Sequence, residues 1–537
     1  MRKIIFVLLV MLICISNLYP QISTEWINTY NYPVYGIRLL GGSTIDNQGN
    51  VYMNGSSMNY YNPTLKFSSN GTTNWVKISE EIGSGITAGN DGFLYAISIR
   101  SLMALTKYTS TGDTIWSRGF SGNLPGWNYP YFVTTNSQGH IFTISVTKDT
   151  NSPSNITIIK YDNNGNQLWT NYFRTPNQYD SYIFPNSYVF DQNNNLYVTG
   201  TLPNNGGGLC FFITKITSSG TTEWINFDYN AMSGTDVALD NFGNVYCTGW
   251  SVGFSGSHSY YFTKAYKYSP SGTLVWDRDY VNDPNNDGTF GSRIKVDNQN
   301  NLCILAVEQK HNTLKNPIHI LKYDALGNLY LDKITFYLRR TNGVAEKTTN
   351  LILDEYNNIY INGYGSRTIN DNERGLVTAK YDTTGSLVWI TNITNTSFED
   401  DEIGDLFVKG HNIYTTGTSY KNYPNSGREL LAAKYYQTSI GILQQYSEIP
   451  ENYKLEQNYP NPFNPSTKIK FSIPKGSFTS LKVYDVTGKE IKELLNEFIP
   501  AGTFEIEFSP ESIPSGVYFY KLTSNKFESV KKMIIIK

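Results

Sequence analysis

Ala238-Leu239-Asp240-Asn241-Phe242-Gly243-Asn244-Val245-Tyr246-Cys247-Thr248-Gly249 opens a phrase that closes at Trp276. An apolar stretch ends at Asp240. A turn then leads into Val245–Gly249, and after a variable loop comes Ala265-Tyr266-Lys267-Tyr268. A second turn, Ser269-Pro270-Ser271-Gly272, precedes Leu274-Val275-Trp276. Apolar and polar residues alternate, which is the signature of strands. Gly and Asn accept positive φ at tight turns, and Asp bonds its own backbone there. Four short strands in a period of about 40–60 residues read as one blade of a β-propeller.

The phrase recurs along the chain. Its Trp stands at Trp26, Trp75, Trp116, Trp169, Trp224, Trp276 and Trp389, with Leu331 once in its place. Lys followed by an aromatic residue or Ile precedes it at Lys66, Lys107, Lys160, Lys215, Lys267, Lys322 and Lys380. Lys434-Tyr435 has no Trp after it, and Trp26 has no Lys before it. The two incomplete units complement each other, so the strand around Thr24–Tyr30 is expected to close the ring as the outer strand of the last blade. The fold expected is all-β: an eight-bladed β-propeller, or seven-bladed if one degenerate unit is not a blade, followed by a small Ig-like β-sandwich. The domains expected are a signal peptide at 1–20, the propeller at 21–438, a linker at 439–452 and a C-terminal module at 453–537.

Composition narrows the function classes. Lys+Arg number 43 against Asp+Glu 45, and charged residues are 16% of the chain. No basic face or tail argues for nucleic acid. Arg2-Lys3 followed by the apolar run Ile4–Ile15 reads as a secretory signal, too short to span a bilayer. No later run is long enough, so no membrane span is expected in the mature chain. Cys210, Cys247 and Cys303 make neither a disulfide framework nor a zinc site, and Cys247 and Cys303, in blade strands, read as buried fillers. The 42 Tyr suit packing between sheets, and also sugar-binding surfaces.

The repeat stops near Ser439. Tyr459-Pro460-Asn461-Pro462-Phe463-Asn464-Pro465 is too proline-rich for a helix. Strands are expected at Lys468–Ile473, Ser480–Asp485, Gly502–Phe508, Gly516–Leu522 and Val530–Ile536. This segment resembles the type A C-terminal sorting domain of the type IX secretion system of Bacteroidetes and related phyla. The matching residues are Pro460, Asn461, Pro462, Phe463, Asn464 and Pro465, then Val483–Lys489, then Gly516, Tyr518, Tyr520, Lys521, Lys531 and Lys532. The resemblance implies that residues 453–537 engage the type IX machinery, with release or surface attachment after export. The family often has Gly in the turn before the last strand. Here the turn is Thr523-Ser524-Asn525-Lys526, where Asn can supply the same left-handed conformation. The repeats separately resemble bacterial propeller repeats of the pattern Lys-Tyr-Asp-x-x-Gly-x-x-x-Trp, which speaks to fold and not to activity.

Candidate sites follow from the architecture. Strands are named A to D from the axis outward. The A–B and C–D turns are short and share one side. The B–C and D–A connections vary in length and share the other side, where ligand binding is expected. The repeated lysines are expected to lie along the sheet with solvated amines. Asp191–Asn195 and Asp162–Asn166 hint at calcium but carry one carboxylate each, which favours turn chemistry. His140, His258, His311, His319 and His411 show no convergence, and no cofactor or catalytic motif is present. Glu399-Asp400-Asp401-Glu402 with Asp405, in a D–A connection, is the densest carboxylate group. Trp127 and Trp250 lie outside the repeat register and are candidate sugar-stacking residues. The leading expectation is a non-enzymatic surface protein that binds a polysaccharide or a protein. The alternatives are a lyase or glycoside hydrolase, and a structural or adhesion protein.

Overall fold

The computed structural model describes residues 22–536 apart from short segments, the longer ones being 31–36, 121–127, 149–153, 174–182, 283–287, 310–314, 340–348, 367–374, 395–402 and 421–427. Every described element is a β-strand. The chain divides into two compact units, one formed by Thr24–Lys409 with Ile413–Lys434, the other containing Tyr435–Lys537.

The first unit is a series of four-stranded antiparallel sheets built as the repeat foretells. In one of them Ser233–Leu239, Val245–Ser255, His258–Tyr268 and Leu274–Tyr280 pair in sequence order. Sheets of the same order span 43–79, 82–120, 128–173, 184–228, 288–339 and 349–394. Tyr337 and Leu338 also pair with Ser366 and Gly365, which joins the last two of these. In the final sheet Ile403–Lys409, Asn412–Tyr420 and Arg428–Gln437 are completed by Ile22–Tyr30. The first strand thus closes the ring from outside. The first and last sheets share one core, in which Val51, Met53, Leu65 and Phe67 meet Tyr414, Leu430 and Ala432. Neighbouring sheets pack face to face in the same way. Phe142, Ile144, Ile156 and Ile158 of one meet Leu196, Val198 and Phe212 of the next. Each such side chain taken from water contributes about 1.5–3 kcal/mol.

The turns show why the repeat reads as it does. Asp46 Oδ1 accepts the amides of Gln48 and Asn50, each at 2.9 Å, while Oδ2 accepts the Asn50 amide side chain and the Tyr52 hydroxyl. Asp191, Asp240 and Asp354 repeat the set. The Asp162 carboxylate is likewise engaged by Asn164 and Asn166. Turn chemistry therefore accounts for the calcium-like spacing. Where Gly is missing from the fourth turn position, Asn194, Asn300 and Asn357 adopt positive φ.

Two local expectations differ from the structure. The stretch after Gly249, expected as a variable loop, instead continues the two strands, with Phe254 opposite Ser259 and Ser255 opposite His258. Alternation of apolar and polar residues through Val252, Phe254, Tyr260 and Phe262 outweighs the turn-forming composition. His258 accordingly begins a strand.

In the second unit two four-stranded sheets share one hydrophobic core. Strands Lys454–Leu455, Thr467–Ile473 and Gly502–Phe508 form one sheet with Ile442–Tyr446. Ser477–Tyr484, Glu490–Ile499, Gly516–Ser524 and Phe527–Ile535 form the other. Ile442–Tyr446 falls in the segment expected as a linker, yet its backbone pairs with Thr503–Ile506. Glu490–Ile499 was not foreseen as a strand, because its charged residues obscure the alternation. It is an edge strand, where charged residues are usual.

Candidate ligand side and export module

The short-turn side is consumed by bonds between sheets. Lys66 Nζ donates to the carbonyl of Ser110 in the next sheet, 3.0 Å away, and the Trp75 indole N–H reaches the same oxygen at 3.1 Å. Lys107 and Trp116 meet on Asn163, Lys160 and Trp169 on Ser218, and Lys267 and Trp276 on Ala325. The glycine of each such turn lies under the preceding Trp, as Gly220 does under Trp169. This corrects the expectation of solvated amines. Lys66, Lys107, Lys160, Lys322 and Lys380 are buried, and the amines of all but Lys322 lie near a B-strand ring, 5.3 Å from the Tyr52 centroid for Lys66. An amine that finds a carbonyl and an aromatic face need not stay in water. Burial pulls the Lys160 and Lys380 amines below the ordinary lysine range.

On the other side, the sequence candidates fare unequally. Trp127, Asp400 and Asp401 lie outside the described residues, as does His311. Trp250 is in the strand Val245–Ser255. Tyr261 and Phe290 meet it edge-on at 5.6 and 5.3 Å, and its indole N–H is buried without a hydrogen-bond partner. Cys210, Cys247 and Cys303 are buried and free, and burial pushes the Cys210 thiol up to about 11.

The innermost strands carry polar groups of which the sequence singled out only Asp405, expected on a D–A loop and found in the strand Ile403–Lys409. A bulge interrupts the A strand at matching places, between Pro185 and Ser187, Gly234 and Asp236, and Gly291 and Arg293. Asp236 accepts Ser187 Oγ at 2.6 Å and the Ile294 amide at 2.9 Å, so it staples three sheets together. Asp405 accepts both the amide and the hydroxyl of Ser43 at 2.7 Å, across the ring closure. Burial lifts the Asp405 carboxyl above its ordinary value, opposed by the Ser43 bonds and the Arg293 charge. Its own charge adds to the burial that raises the Tyr188 hydroxyl. Charges from different sheets thus act on one another here, Arg293 on Asp405 and Asp405 on Tyr188. Among the described residues no group of three or more His, Cys, Asp or Glu could hold a metal ion.

The C-terminal unit is organised by its Pro-rich segment. Tyr459-Pro460, Asn461-Pro462 and Asn464-Pro465 are cis. The Phe463 backbone bridges to the last strand, its N–H on the Ile534 carbonyl and its own carbonyl accepting Ile536 N–H, both at 3.1 Å. Its ring is buried against Phe508. Asn461 brackets the same strand, accepting Ile534 N–H at 2.9 Å and donating to the Lys532 carbonyl at 3.2 Å. The Tyr520 hydroxyl donates to the Glu456 carbonyl at 2.8 Å and accepts Asn458 N–H at 2.7 Å. Tyr518 is buried and caps the Pro514 carbonyl at 3.1 Å. Lys521 pairs with Glu528 at 2.9 Å. Lys531 and Lys532 lie opposite Tyr520 and Phe519 on the last strand, and Gly516 opens the strand before it. Pro460, Pro462, Asn464 and Pro465 are exposed. Asn525 takes the left-handed conformation, φ 54°, in a two-residue turn, as expected of Asn in place of Gly.

No curated protein matches the chain. Similar solved structures include the WD40 domain of SCAP from fission yeast, at 10% identity and TM-score 0.42, covering 78% of this chain and 99% of that one. A protein of unknown function from Bacteroides caccae gives 13% identity and TM-score 0.31, covering 56% of this chain and 94% of its own. Polysaccharide lyase Uly1 gives 9% and 0.34, covering 70% and 89%. No helix of the described residues is long and apolar enough to cross a membrane. Residues 457–537 match the family described as "Secretion system C-terminal sorting domain". The strapped sandwich at the C-terminal end is therefore a type IX secretion sorting domain, which marks the chain for export to the cell surface or beyond.

Proposed function

We propose that this chain is an exported, eight-bladed β-propeller that binds a polysaccharide or protein ligand on the side opposite its short turns. A signal peptide at 1–20 would begin the route, and residues 453–537, a type A sorting domain with an Ig-like sandwich, would complete it through the type IX machinery. One observation supports the binding side above all. The short-turn side spends its Lys, Trp and carbonyl groups on bonds between sheets, as Lys66 and Trp75 do on Ser110. Sequence variation is left to the other side, where loops on a rigid scaffold are free to recognise a ligand. Trp127, Trp250, Asp400 and Asp401 remain the residues proposed for contact.

A lyase or glycoside hydrolase is the second reading. It draws on Asp236 and Asp405 of the innermost strands, since glycoside chemistry needs two carboxyl groups roughly 5–10 Å apart. Both carboxylates are already engaged by serines of neighbouring sheets, which favours binding over catalysis. The test is a glycan array probed with the full secreted protein, followed by mass analysis of each captured glycan. Capture without mass change, lost in Trp127→Ala or Trp250→Ala, supports binding. Cleavage overturns the non-enzymatic reading, and no capture at all moves the ligand to a protein or leaves a structural surface role.

A further inference from the structure

Four strands bring together side chains that lie far apart in the repeat phrase. His319 is on the C strand Lys315–Tyr323. Its Nε2 faces Glu308 Oε2 at 3.1 Å, from the B strand beside it. Its Nδ1 faces Asp332 Oδ1 at 2.8 Å, from the D strand on its other side. Tyr280, the last residue of the preceding sheet, donates its hydroxyl to Asp332 Oδ2 at 2.7 Å and offers its oxygen to His319 Nδ1 at 3.2 Å. Two residues on, Asn282 Nδ2 donates to Glu308 Oε1 at 2.9 Å. His319 and Glu308 are 2% and 1% exposed.

This geometry specifies a protonation state. A neutral imidazole has one N–H, and its other nitrogen would turn a lone pair on a carboxylate oxygen. With carboxylates at both nitrogens, the satisfied arrangement is the imidazolium, with two donors and two acceptors. We infer that protonated His319 is a latch that holds the Tyr280–Asn282 end of one sheet on the next, and that the latch loosens as pH rises. Tyr280 and Asn282 each reach one of the two carboxylates that the imidazolium holds in place. Loss of the proton leaves Glu308 and Asp332 facing a neutral ring, and weakens the anchors of both residues together. The latch thus acts on the end of the Leu274–Tyr280 strand and on Asn282 just beyond it. It does not depend on what the ligand is.

The charged surroundings agree. Burial alone lowers the affinity of His319 for its proton, and the hydrogen bonds and charges of Glu308 and Asp332 more than offset it, so the group titrates above the ordinary histidine value. Arg278 and Asp279, on the Tyr280 strand, act on the neighbouring Tyr323 hydroxyl together with Asp332. For a histidine whose folded value is raised, the added stability is fully present below about pH 6.5 and is lost as pH climbs through the folded value.

The test follows the histidine side chains of the full chain by two-bond proton–nitrogen NMR from pH 5.5 to 9, with the Asn282 side-chain amide that donates to Glu308 followed in parallel. The expected result is one histidine protonated on both nitrogens at pH 7, absent in His319→Gln, with a midpoint that falls in Glu308→Gln. The Asn282 side-chain amide signal should shift across that titration in the wild type and stay level in His319→Gln. A His319 that is neutral at pH 7 overturns the inference, as does an Asn282 side-chain amide signal that does not follow its titration. Should His319→Gln fail to fold, the wild-type spectrum and Glu308→Gln still decide the matter.

Discussion

Trp26 donates its indole N–H to the carbonyl of Ser69 at 3.0 Å, joining the outer strand of the last sheet to a turn of the first. The same bond recurs at the internal seams, for example from Trp224 to Pro270 at 3.2 Å. The ring is thus closed by the device that builds it. Glu25 adds an ion pair to Lys434 at 2.6 Å within the closing sheet.

Trp26→Ala is expected to open the seam. Trp26 is half-buried and packs 6.4 Å from Phe67, so truncation removes apolar contact as well as the hydrogen bond. The expected loss is about 2–4 kcal/mol, read as a lower urea midpoint of the ring's unfolding transition. Trp26→Phe, which retains a ring and loses only the donor, should cost about 1 kcal/mol. Equal midpoints for Trp26→Ala and the wild type would mean that the first strand does not hold the ring shut.

Lys160 and Trp169 should be coupled through the oxygen they share. Either one alone still satisfies the Ser218 carbonyl, since Lys160 reaches it at 3.1 Å and Trp169 at 3.2 Å. Lys160→Met should therefore cost under about 1 kcal/mol, all the more because burial disfavours its charge. Lys160→Met with Trp169→Phe orphans a buried acceptor. The double variant should lose about 1 kcal/mol beyond the sum of the singles in a double-mutant cycle, and strict additivity would show that the oxygen finds another donor.

What could be read in the sequence was what is local. The Asp-x-x-Gly-Asn turn closes on itself within seven residues, from Asp46 to Tyr52, so its residue types announce its geometry. The Trp26 closure was also legible, because two incomplete phrases can be completed only by each other. The fate of the lysines was not, since the carbonyl that Lys66 reaches is 44 residues on, in another sheet. Nor was the His319 group, whose partners come from three other strands and share no spacing with the repeat. Tyr188, Asp236 and Arg293 were missed for the same reason, because sequence separation hides which strands meet, and Asp405 was named only as part of a carboxylate-rich connection, without its Ser43 partner. The long strand pair through Phe254 was expected as a variable loop, because cross-strand pairing decides it and local composition does not.

Gly220 and Gly92 separate two ways in which a repeat glycine matters. Both have positive φ, 93° and 80°. A Cβ at Gly220 would sit 2.6 Å from Trp169, whereas one at Gly92 meets nothing within 4 Å. Gly92→Ala should show backbone strain alone, about 1–2 kcal/mol. Gly220→Ala adds a clash with the seam Trp and should cost clearly more, with a red shift in Trp fluorescence as the indole is displaced. Equal melting points would place the Trp contact outside the requirement for glycine.

Tyr520→Phe tests the strap of the sorting domain with little change in volume. The ring is fully buried and stays so as Phe, while the hydroxyl that joins the Glu456 carbonyl to the Asn458 amide is lost. Removing it leaves two backbone groups short of a partner, at about 1–3 kcal/mol. Burial holds the Tyr520 hydroxyl up to about 12, so the bridge stays intact throughout the neutral range and the loss should be the same at pH 6 and pH 8.5. Because the strap leads into Asn461 and Phe463, which bracket the last strand, its release should appear as faster proteolysis near residues 457–465 before the sandwich itself unfolds. Asn461→Ala, which loses a donor and an acceptor toward the same strand, should give the same early cleavage. Cleavage in step with global unfolding in both variants would show that the strap is part of the sandwich's cooperative unit and has no separate opening.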